Sequence, residues 1–198
     1  MSNNYATYCL RKGDTDLVIG ECRLCYAHIF APRRNEDGTP GKYSAQLLIP
    51  KSNTKVISLL KEAAEAAKKK GPKGGWGAKA KAAQRLALNL RDGDEEYPDD
   101  PTYEGMWFIN ASNHNKPLAA VRENGIVSEA LDEEDLYSGC WTAVHVSVYC
   151  YDKSGNMGIA CSLEGVTKTR DDARLSGGVS SASMFDELFG SAAGSCLD

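Results

Sequence analysis

The chain has 198 residues, 42% of them hydrophobic, and a formal net charge of -4, which suits one domain with a substantial core and a tail. Apolar runs fall short of the roughly 18 residues of a membrane span, and the polar start lacks the features of a signal peptide. The sequence therefore predicts a soluble protein that is not secreted. Seven cysteines form an odd set, mostly within apolar runs, which favours reduced thiols.

The first strong pattern predicts a β-hairpin. Residues 17–30 are rich in Val, Ile, Leu, Tyr and Phe, which is typical of a long strand, and the run ends at Pro32. Residues 42–49 resume the strand pattern until Pro50 stops it. Turn-forming residues lie between the two runs, so the strands are expected to pair antiparallel.

A helical insertion is predicted at about residues 54–90. From Thr54 apolar residues recur at helical spacing until a Gly-Pro pair stops them, which indicates an amphipathic helix with a lysine-rich outer face. A second helical run is predicted over residues 78–90. Both helices would lie between strands of a larger sheet.

Charge is segregated along this part of the chain. Residues 51–91 hold eleven Lys and Arg against two acids, whereas residues 92–104 hold seven acids and no cation. A strongly positive segment in an acidic chain suggests a polyanionic partner. A solvated helix face that keeps the protein soluble is the alternative.

The second half of the chain returns to strand patterns, over residues 106–111, 118–122, 140–151 and 157–169. About six strands with two inserted helices predict a mostly β or α+β fold, arranged as an antiparallel barrel or sandwich. This domain is expected to span residues 1–170. Residues 171–198 drift to Ser, Gly and Ala and are predicted to be a flexible tail.

The predicted strand at 140–151 has two distinct faces. Five of its six even positions, Cys140, Val144, Val146, Val148 and Cys150, are residues typical of a core face. Its odd positions carry rings and polar groups, namely Trp141, His145, Ser147, Tyr149 and Tyr151. Exposed rings suit base stacking, worth about 1 to 3 kcal/mol per base without reading sequence. Packing of the two tyrosines under a loop or helix is the alternative.

Metal and enzyme sites find little support in the sequence. Cys22 and Cys25 have the spacing of a zinc-binding pair, yet in an extended strand they point to opposite faces, which favours core packing. A metal-dependent nuclease centre at Asp92, Asp94 and Glu95 lacks the spacing of known metal loops. No familiar catalytic motif occurs, so neither catalysis nor a cofactor is expected.

Several short segments carry a resemblance to a known family. They are Leu24-Cys25-Tyr26-Ala27-His28-Ile29-Phe30, Lys42-Tyr43-Ser44-Ala45, Leu48-Ile49-Pro50-Lys51-Ser52, Leu90-Arg91-Asp92-Gly93-Asp94, Phe108-Ile109-Asn110-Ala111, Lys116-Pro117, Tyr137-Ser138-Gly139, and Gly158-Ile159 before Leu163. In this order, over roughly residues 15–170, they resemble a family of bacteriophage single-stranded DNA-binding proteins first catalogued as a domain of unknown function.

The resemblance implies an OB-fold, which is a small antiparallel Greek-key β-barrel, with helices inserted between strands. It implies binding of single-stranded DNA for replication or recombination in the cytoplasm of an infected bacterium. It also implies a tail that recruits replication or recombination proteins. The tail residues expected to do so are Met184, Phe185, Asp186, Glu187, Leu188 and Phe189, with a tail of no consequence as the alternative.

We therefore predict a non-catalytic protein that binds single-stranded DNA whatever its sequence, as a monomer or a homodimer. Bases are expected to stack on Tyr149, Tyr151, Trp141, Trp107 and Tyr43. Phosphates are expected to contact Arg33, Arg34, Lys42, Lys51, Arg91 and Lys116. Lys51 and Arg91 are expected nearest the bases because they flank the helical insertion. The rival hypothesis is a phage assembly protein whose basic helices bind another protein.

Overall fold

The computed structural model describes residues 5–73, 75–153 and 156–175. Within them lie nine strands, which are β1 (Tyr8–Arg11), β2 (Asp16–His28), β3 (Tyr43–Pro50), β4 (Arg91–Asp92), β5 (Met106–Asn113), β6 (Leu118–Glu123), β7 (Ile126–Glu129), β8 (Trp141–Lys153) and β9 (Asn156–Arg170). The helices are α1 (Thr54–Lys70), α2 (Ala80–Ala83) and α3 (Gly93–Glu96), with a 3-10 turn at Gly77–Lys79. None of the helices in these ranges is long and apolar enough to cross a membrane.

Five of the strands close into a barrel. β2 pairs antiparallel with β3 and β8, β3 pairs with β5, and β8 pairs with β9. A parallel pairing of β5 with β9, where Ala111 lies opposite Cys161, joins the two ends of this sheet. The ring order is therefore β2-β3-β5-β9-β8, which confirms the predicted Greek-key barrel.

The barrel interior follows the two-residue period of the strands. Val144, Val146 and Val148 of β8 are buried in it, as the even positions of this strand predict. A second, smaller cluster lies on the outer side of β3 and β5 and contains Cys25, Leu48, Tyr103, Met106, Phe108 and Trp141. Cys22 belongs to the main core and Cys25 to the outer cluster, so the prediction that they point to opposite faces is confirmed.

Helix α1 forms as its apolar spacing predicts. Val56, Leu60 and Ala63 are buried against the barrel, and the helix ends at Gly71, whose φ of 72° is left-handed. The amide of Gly71 donates a hydrogen bond to the carbonyl of Ala67. The lysine-rich side of α1 therefore faces outward.

The predicted second helix over residues 78–90 is wrong in its extent. Helix α2 ends at Ala83 and residues 84 and 85 form a turn; after it Leu88 bridges Ile159 of β9, and β4 pairs with β5. Leu86, Leu88 and Leu90 alternate along this stretch and pack against the core, which is a period of two. Packing on the barrel outweighs the weak helical preference of the same residues.

The strand predicted at residues 118–122 is β6, whereas β7 and the turn that joins it to β6 were missed although the turn carries a sequence signal. Asn124 and Gly125 form the turn with φ values of 50° and 84°. An Asn-Gly pair at two left-handed positions is the preferred two-residue hairpin turn. β7 is too short and too exposed to show a strand period of its own.

Residues 171–175, which composition assigns to the tail, are attached to the barrel. The indole of Trp141 donates a hydrogen bond to Asp172, and the amide of Leu175 donates one to the carbonyl of Ser138. The remaining predicted tail, including the candidate partner-binding residues 184–189, lies outside the described residues.

Core packing predicts the effect of one matched pair of substitutions. Leu47→Ala removes a fully buried side chain of β3 and should lower the free energy of unfolding by about 2 to 5 kcal/mol. Leu118→Ala removes a side chain that is 68% exposed and should change it by no more than about 0.5 kcal/mol. Urea denaturation measures both, and equal effects would contradict the position of the core.

Candidate nucleic-acid interface

Tyr149 and Tyr151 lie on the outward face of β8. Tyr149 is 38% exposed and lies opposite Ala160, so the neighbouring strand offers little side chain to cover its ring. Tyr151 lies opposite Gly158, and a Cβ added there would come within 2.6 Å of the tyrosine hydroxyl, so this ring lies over the glycine. Burial raises the pKa of Tyr149, which keeps the phenol neutral and its ring available as an uncharged stacking surface.

Trp141 is not exposed on this face. Its side chain is only 4% exposed. The centroid of the Trp141 ring lies 4.8 Å from that of Tyr5, and the guanidinium of Arg170 lies 4.4 Å from the centroid of the same Trp141 ring. Trp141 belongs to the outer cluster, as its odd position predicts, but Tyr5, Arg170 and Leu175 pack on it there and Asp172 accepts a hydrogen bond from its indole, so the outward face is covered at this residue. Burial removes Trp141 from the rings that a base could reach in this conformation.

Trp107 and Tyr149 do not share a face. Trp107 is half-buried and packs against the main core, while its neighbour Phe108 points to the outer cluster. The ammonium of Lys51 lies 5.1 Å from the centre of the Trp107 ring. Trp107 therefore belongs to the side of the barrel that α1 covers.

Lys51 and Arg91 are held by the acidic segment that follows them. Lys51 donates to Asp94 at 2.8 Å and also to Asp92, and Arg91 donates to both carboxylate oxygens of Glu96. The hydrogen bonds that Lys51 donates to Asp92 and Asp94 raise the pKa of Lys51, and the bond it donates to Asp94 lowers the pKa of that carboxylate. The two cations predicted to lie nearest the bases thus already have anionic partners.

The same contacts bear on the nuclease alternative. Two of its three carboxylates, Asp92 and Asp94, bind the ammonium of Lys51. Among the described residues no group of three or more His, Cys, Asp or Glu is placed to hold a metal ion.

The remaining predicted cations lie at one end of the barrel. Arg33, Arg34 and Lys42 belong to the β2–β3 loop, where the amide of Arg33 donates to the carbonyl of Lys42 at 3.1 Å. Lys116 follows β5, and its ammonium lies 5.8 Å from the ring of Phe30, which brings the two loops together. All four side chains are exposed, and within the described residues none of them forms an ion pair.

Small polar residues connect this basic end to Tyr149. Ser147, two residues before Tyr149, pairs with Ser162 of β9. The hydroxyl of Ser162 accepts a hydrogen bond from the side-chain amide of Asn113 at 3.0 Å. Asn113 pairs in turn with Tyr43, the residue after Lys42. A continuous track of contacts therefore runs from an exposed ring to unpaired cations.

A second set of rings, which the sequence patterns did not single out as a site, lies on the outer side of β3 and β5. Tyr97, 39% exposed, stacks on Tyr103 with 4.3 Å between ring centroids, and Tyr103 lies 5.4 Å from Phe108. Tyr26, which has a φ of 45° and is 61% exposed, is a further exposed ring. Tyr97 sits in an irregular acidic loop, so no strand or helix period marks it.

The charge around this outer stack opposes DNA. Asp99, Asp100 and Glu104 are exposed within seven residues of Tyr97 along the chain, and the nearby cation Arg91 is paired with Glu96. Unpaired carboxylates repel phosphates, so the track that ends at Tyr149 is the better candidate for a DNA strand.

Comparison with known proteins places this geometry in context. Residues 15–194 match the family model described as the ssDNA-binding protein of Enterobacter phage Enc34. Protein p50 of Acyrthosiphon pisum secondary endosymbiont phage 1 is 35% identical over 180 residues, which is 87% of this chain and 93% of that protein.

Solved structures agree with the family match. The single-stranded DNA-binding protein from bacteriophage Enc34, solved in complex with ssDNA, superposes with a TM-score of 0.70 at 27% identity, covering 86% of this chain and 98% of that one. The gp2.5 single-stranded DNA-binding protein of bacteriophage T7 superposes with a TM-score of 0.51 at 14% identity, covering 84% and 90% of the two chains. The second likeness is one of fold alone.

The bond between Lys51 and Asp94 predicts a pH dependence. Because the pKa of Asp94 is lowered in the folded protein, its carboxylate stabilises the fold above its ordinary pKa of about 3.9, and this contribution is lost as the pH falls through the lowered value. The free energy of unfolding of Asp94→Asn should therefore stay below that of the wild type from about pH 7 to 5, and the difference should close below about pH 4.

Urea denaturation across this pH range measures the difference. Asp99→Asn is the matched control, because Asp99 is exposed and forms no ion pair among the described residues. If the difference in the free energy of unfolding between the wild type and Asp94→Asn stayed constant below about pH 4, the ion pair would not be the source of that difference.

Proposed function

Because the chain belongs to the family of the Enterobacter phage Enc34 single-stranded DNA-binding protein, we propose that it binds single-stranded DNA in phage replication. The observation that carries the proposal is the likeness, over 86% of this chain, to a family member solved with ssDNA. Binding is independent of sequence and takes place in the cytoplasm of the infected host. Neither catalysis nor a cofactor is part of the proposal.

We propose that a base stacks on Tyr149. Its ring is uncharged, exposed and faced by an alanine, so a base of any type can lie against it. Stacking uses the π-face that every base has, which makes the contact tolerant of sequence. Tyr151 contributes the outward side of a ring that its partner Gly158 supports from below.

Phosphates are proposed to contact the cations at the end of the barrel, Arg33, Arg34, Lys42 and Lys116. An unpaired cation gains a full counterion-release contribution when it meets a phosphate, whereas a cation already bound to a carboxylate must first lose that partner. Lys51 and Arg91 are of the second kind. The strand would run from Tyr149 along Ser147, Ser162 and Asn113 to Tyr43 and the basic end.

The stacking role of Tyr149 is tested by truncation. Tyr149→Ala should weaken binding to oligo-dT by about 1 to 3 kcal/mol, because it removes the stacked ring. The thermal melt should change little, since the ring is partly exposed. Fluorescence anisotropy of a labelled oligonucleotide measures the affinity.

Tyr97→Ala is the matched control, because Tyr97 is equally exposed but lies in the acidic loop. Loss of affinity in this variant and not in Tyr149→Ala would move the site to the outer stack. Failure of the wild type to bind oligo-dT would favour the assembly-protein alternative.

The phosphate contacts are tested by salt dependence. Replacing any one of Arg33, Arg34, Lys42 or Lys116 with a neutral residue should make the slope of log K against log salt less steep by about 0.7, the value for one phosphate contact of a single strand. Lys51→Met is the matched control and should leave the slope unchanged, because Lys51 is paired with Asp92 and Asp94. If Lys51→Met reduced the slope of log K against log salt more than the four variants do, the DNA strand would lie beside the helical insertion.

The predicted tail motif remains a proposal of its own. Residues 184–189 combine Met, Leu and Phe with two acids, which suits docking to a replication or recombination protein. The track from Tyr149 to the basic end does not involve it.

A further inference from the structure

An exposed apolar edge lies on the side of the barrel formed by β6 and β7. We call residues 118–135 the arm. Its large apolar side chains are unusually open, with exposed fractions of 68% for Leu118, 72% for Ile126, 60% for Val127 and 76% for Leu131. β7 pairs with β6 alone among the described strands, so its other edge is unpaired. Proteins normally protect such edges, and an open apolar one marks an interaction surface.

The arm is also strongly acidic. It contains six Asp and Glu residues and a single cation, Arg122. Within the described residues only Glu134 forms an ion pair, with Arg174. The partner of the arm must therefore offer both an apolar surface and positive charge.

This chain carries a surface of that chemistry. A groove of about 1330 Å³ lies between α1, the turn that joins β1 to β2, and residues 87–90. Ala64, Leu88, Leu90 and Trp107 line it with apolar surface. Four acids also line it, and three of them are already paired, Asp14 and Glu62 with Arg11 and Glu65 with Lys68. Lys61, Lys69 and Lys70 line it as well and form no ion pair with any described residue, so the unpaired charge of the lining, three lysines against Asp16, is positive.

The two surfaces lie toward opposite ends of β9. β6 pairs with β9 from Gly165 to Lys168, whereas Leu88 of the groove bridges Ile159. The seven residue steps from Ile159 to Val166 span about 23 Å of extended strand. One copy can therefore use its arm and its groove at the same time.

We infer that the arm of one copy docks in the groove of the next copy. Acids of the arm would meet the unpaired lysines of α1, and Ile126 and Val127 would meet the apolar lining. A symmetric pairing of two arms is disfavoured, because it would place two acidic hairpins side by side. The contact is thus head-to-tail, which generates an open row of copies.

Such a row suits the coating of a strand. The inference rests on the proposed function in one respect, since a bound strand would align successive copies and make binding cooperative. It also assigns a role to Lys61, Lys69 and Lys70 of α1, which are not among the residues that form the track ending at Tyr149. Added salt should weaken cooperativity as well as the affinity of each copy.

Charge exchange tests the contact. The arm variant combines Glu123→Lys with Glu129→Lys, and the groove variant combines Lys61→Glu with Lys69→Glu; all four side chains are exposed. Each variant should bind an oligo-dT of about 70 nucleotides about tenfold more weakly and without cooperativity. The arm variant should bind an oligo-dT of about 12 nucleotides, a single site, as the wild type does.

Mixing the two variants provides the decisive comparison. In an alternating row of the two variants, a reversed arm meets a reversed groove at every second contact, and a wild-type arm meets a wild-type groove at the others. In a protein that carries all four substitutions, a reversed arm meets a reversed groove at every contact. Cooperativity should therefore return both in the mixture and in the four-substitution protein. The matched control, Asp99→Lys with Glu104→Lys, makes the same change of charge on the acidic loop and should remain as cooperative as the wild type.

Three results would overturn the inference. They are an arm variant that stays cooperative, a four-substitution protein that does not recover, and a symmetric dimer joined through the arms. Sedimentation velocity of concentrated protein without DNA tests the same contact. The wild type should self-associate, and each variant should lose this self-association. A failure to bind the short oligonucleotide would count against the proposed function alone.

Discussion

Closure of the sheet between β5 and β9 is the constraint on which the rest of the structure depends. The pairing of Ala111 with Cys161 turns an open sheet into a barrel with one inner and one outer face. Once the ring is closed, each strand residue is assigned to a side by its parity. Tyr149 faces out because Val148 and Cys150 face in. The candidate interface is thus a consequence of filling the interior.

Many charged side chains of the protein form ion pairs with one another. The acidic segment after β4 binds Lys51 and Arg91 and lies beside the outer aromatic stack. Lys79 is likewise paired with Asp152. Among the cations that form no ion pair within the described residues, two groups stand out, one at the loop end of the barrel and one on the outer face of α1, while others such as Lys12, Arg122 and Lys153 lie elsewhere. We assign the first group to DNA and the second to a neighbouring copy.

This division explains why cation density along the sequence is a poor guide to the DNA site. The richest basic segment is a helix whose period places its lysines together on one outward side. The sparse cations of the β2–β3 loop are better placed because they share a track of contacts with Tyr149. What matters for phosphate binding is whether a cation is unpaired and near a stacking ring, and neither property can be read from composition.

The sequence by itself determined the long strands, helix α1, the inward face of β8 and the opposite orientations of Cys22 and Cys25. Each of these follows from a repeat of two or of 3.6 residues, which is a local property of the chain. Only the tertiary structure decided that residues 84–90 are not helical, that Trp141 is buried and that Lys51 is held by Asp92 and Asp94. These outcomes depend on partners that lie about 30 or more residues away in the sequence, such as Asp172 for Trp141 and Ile159 for Leu88. A local pattern carries no information about such partners, because they meet only when the barrel closes.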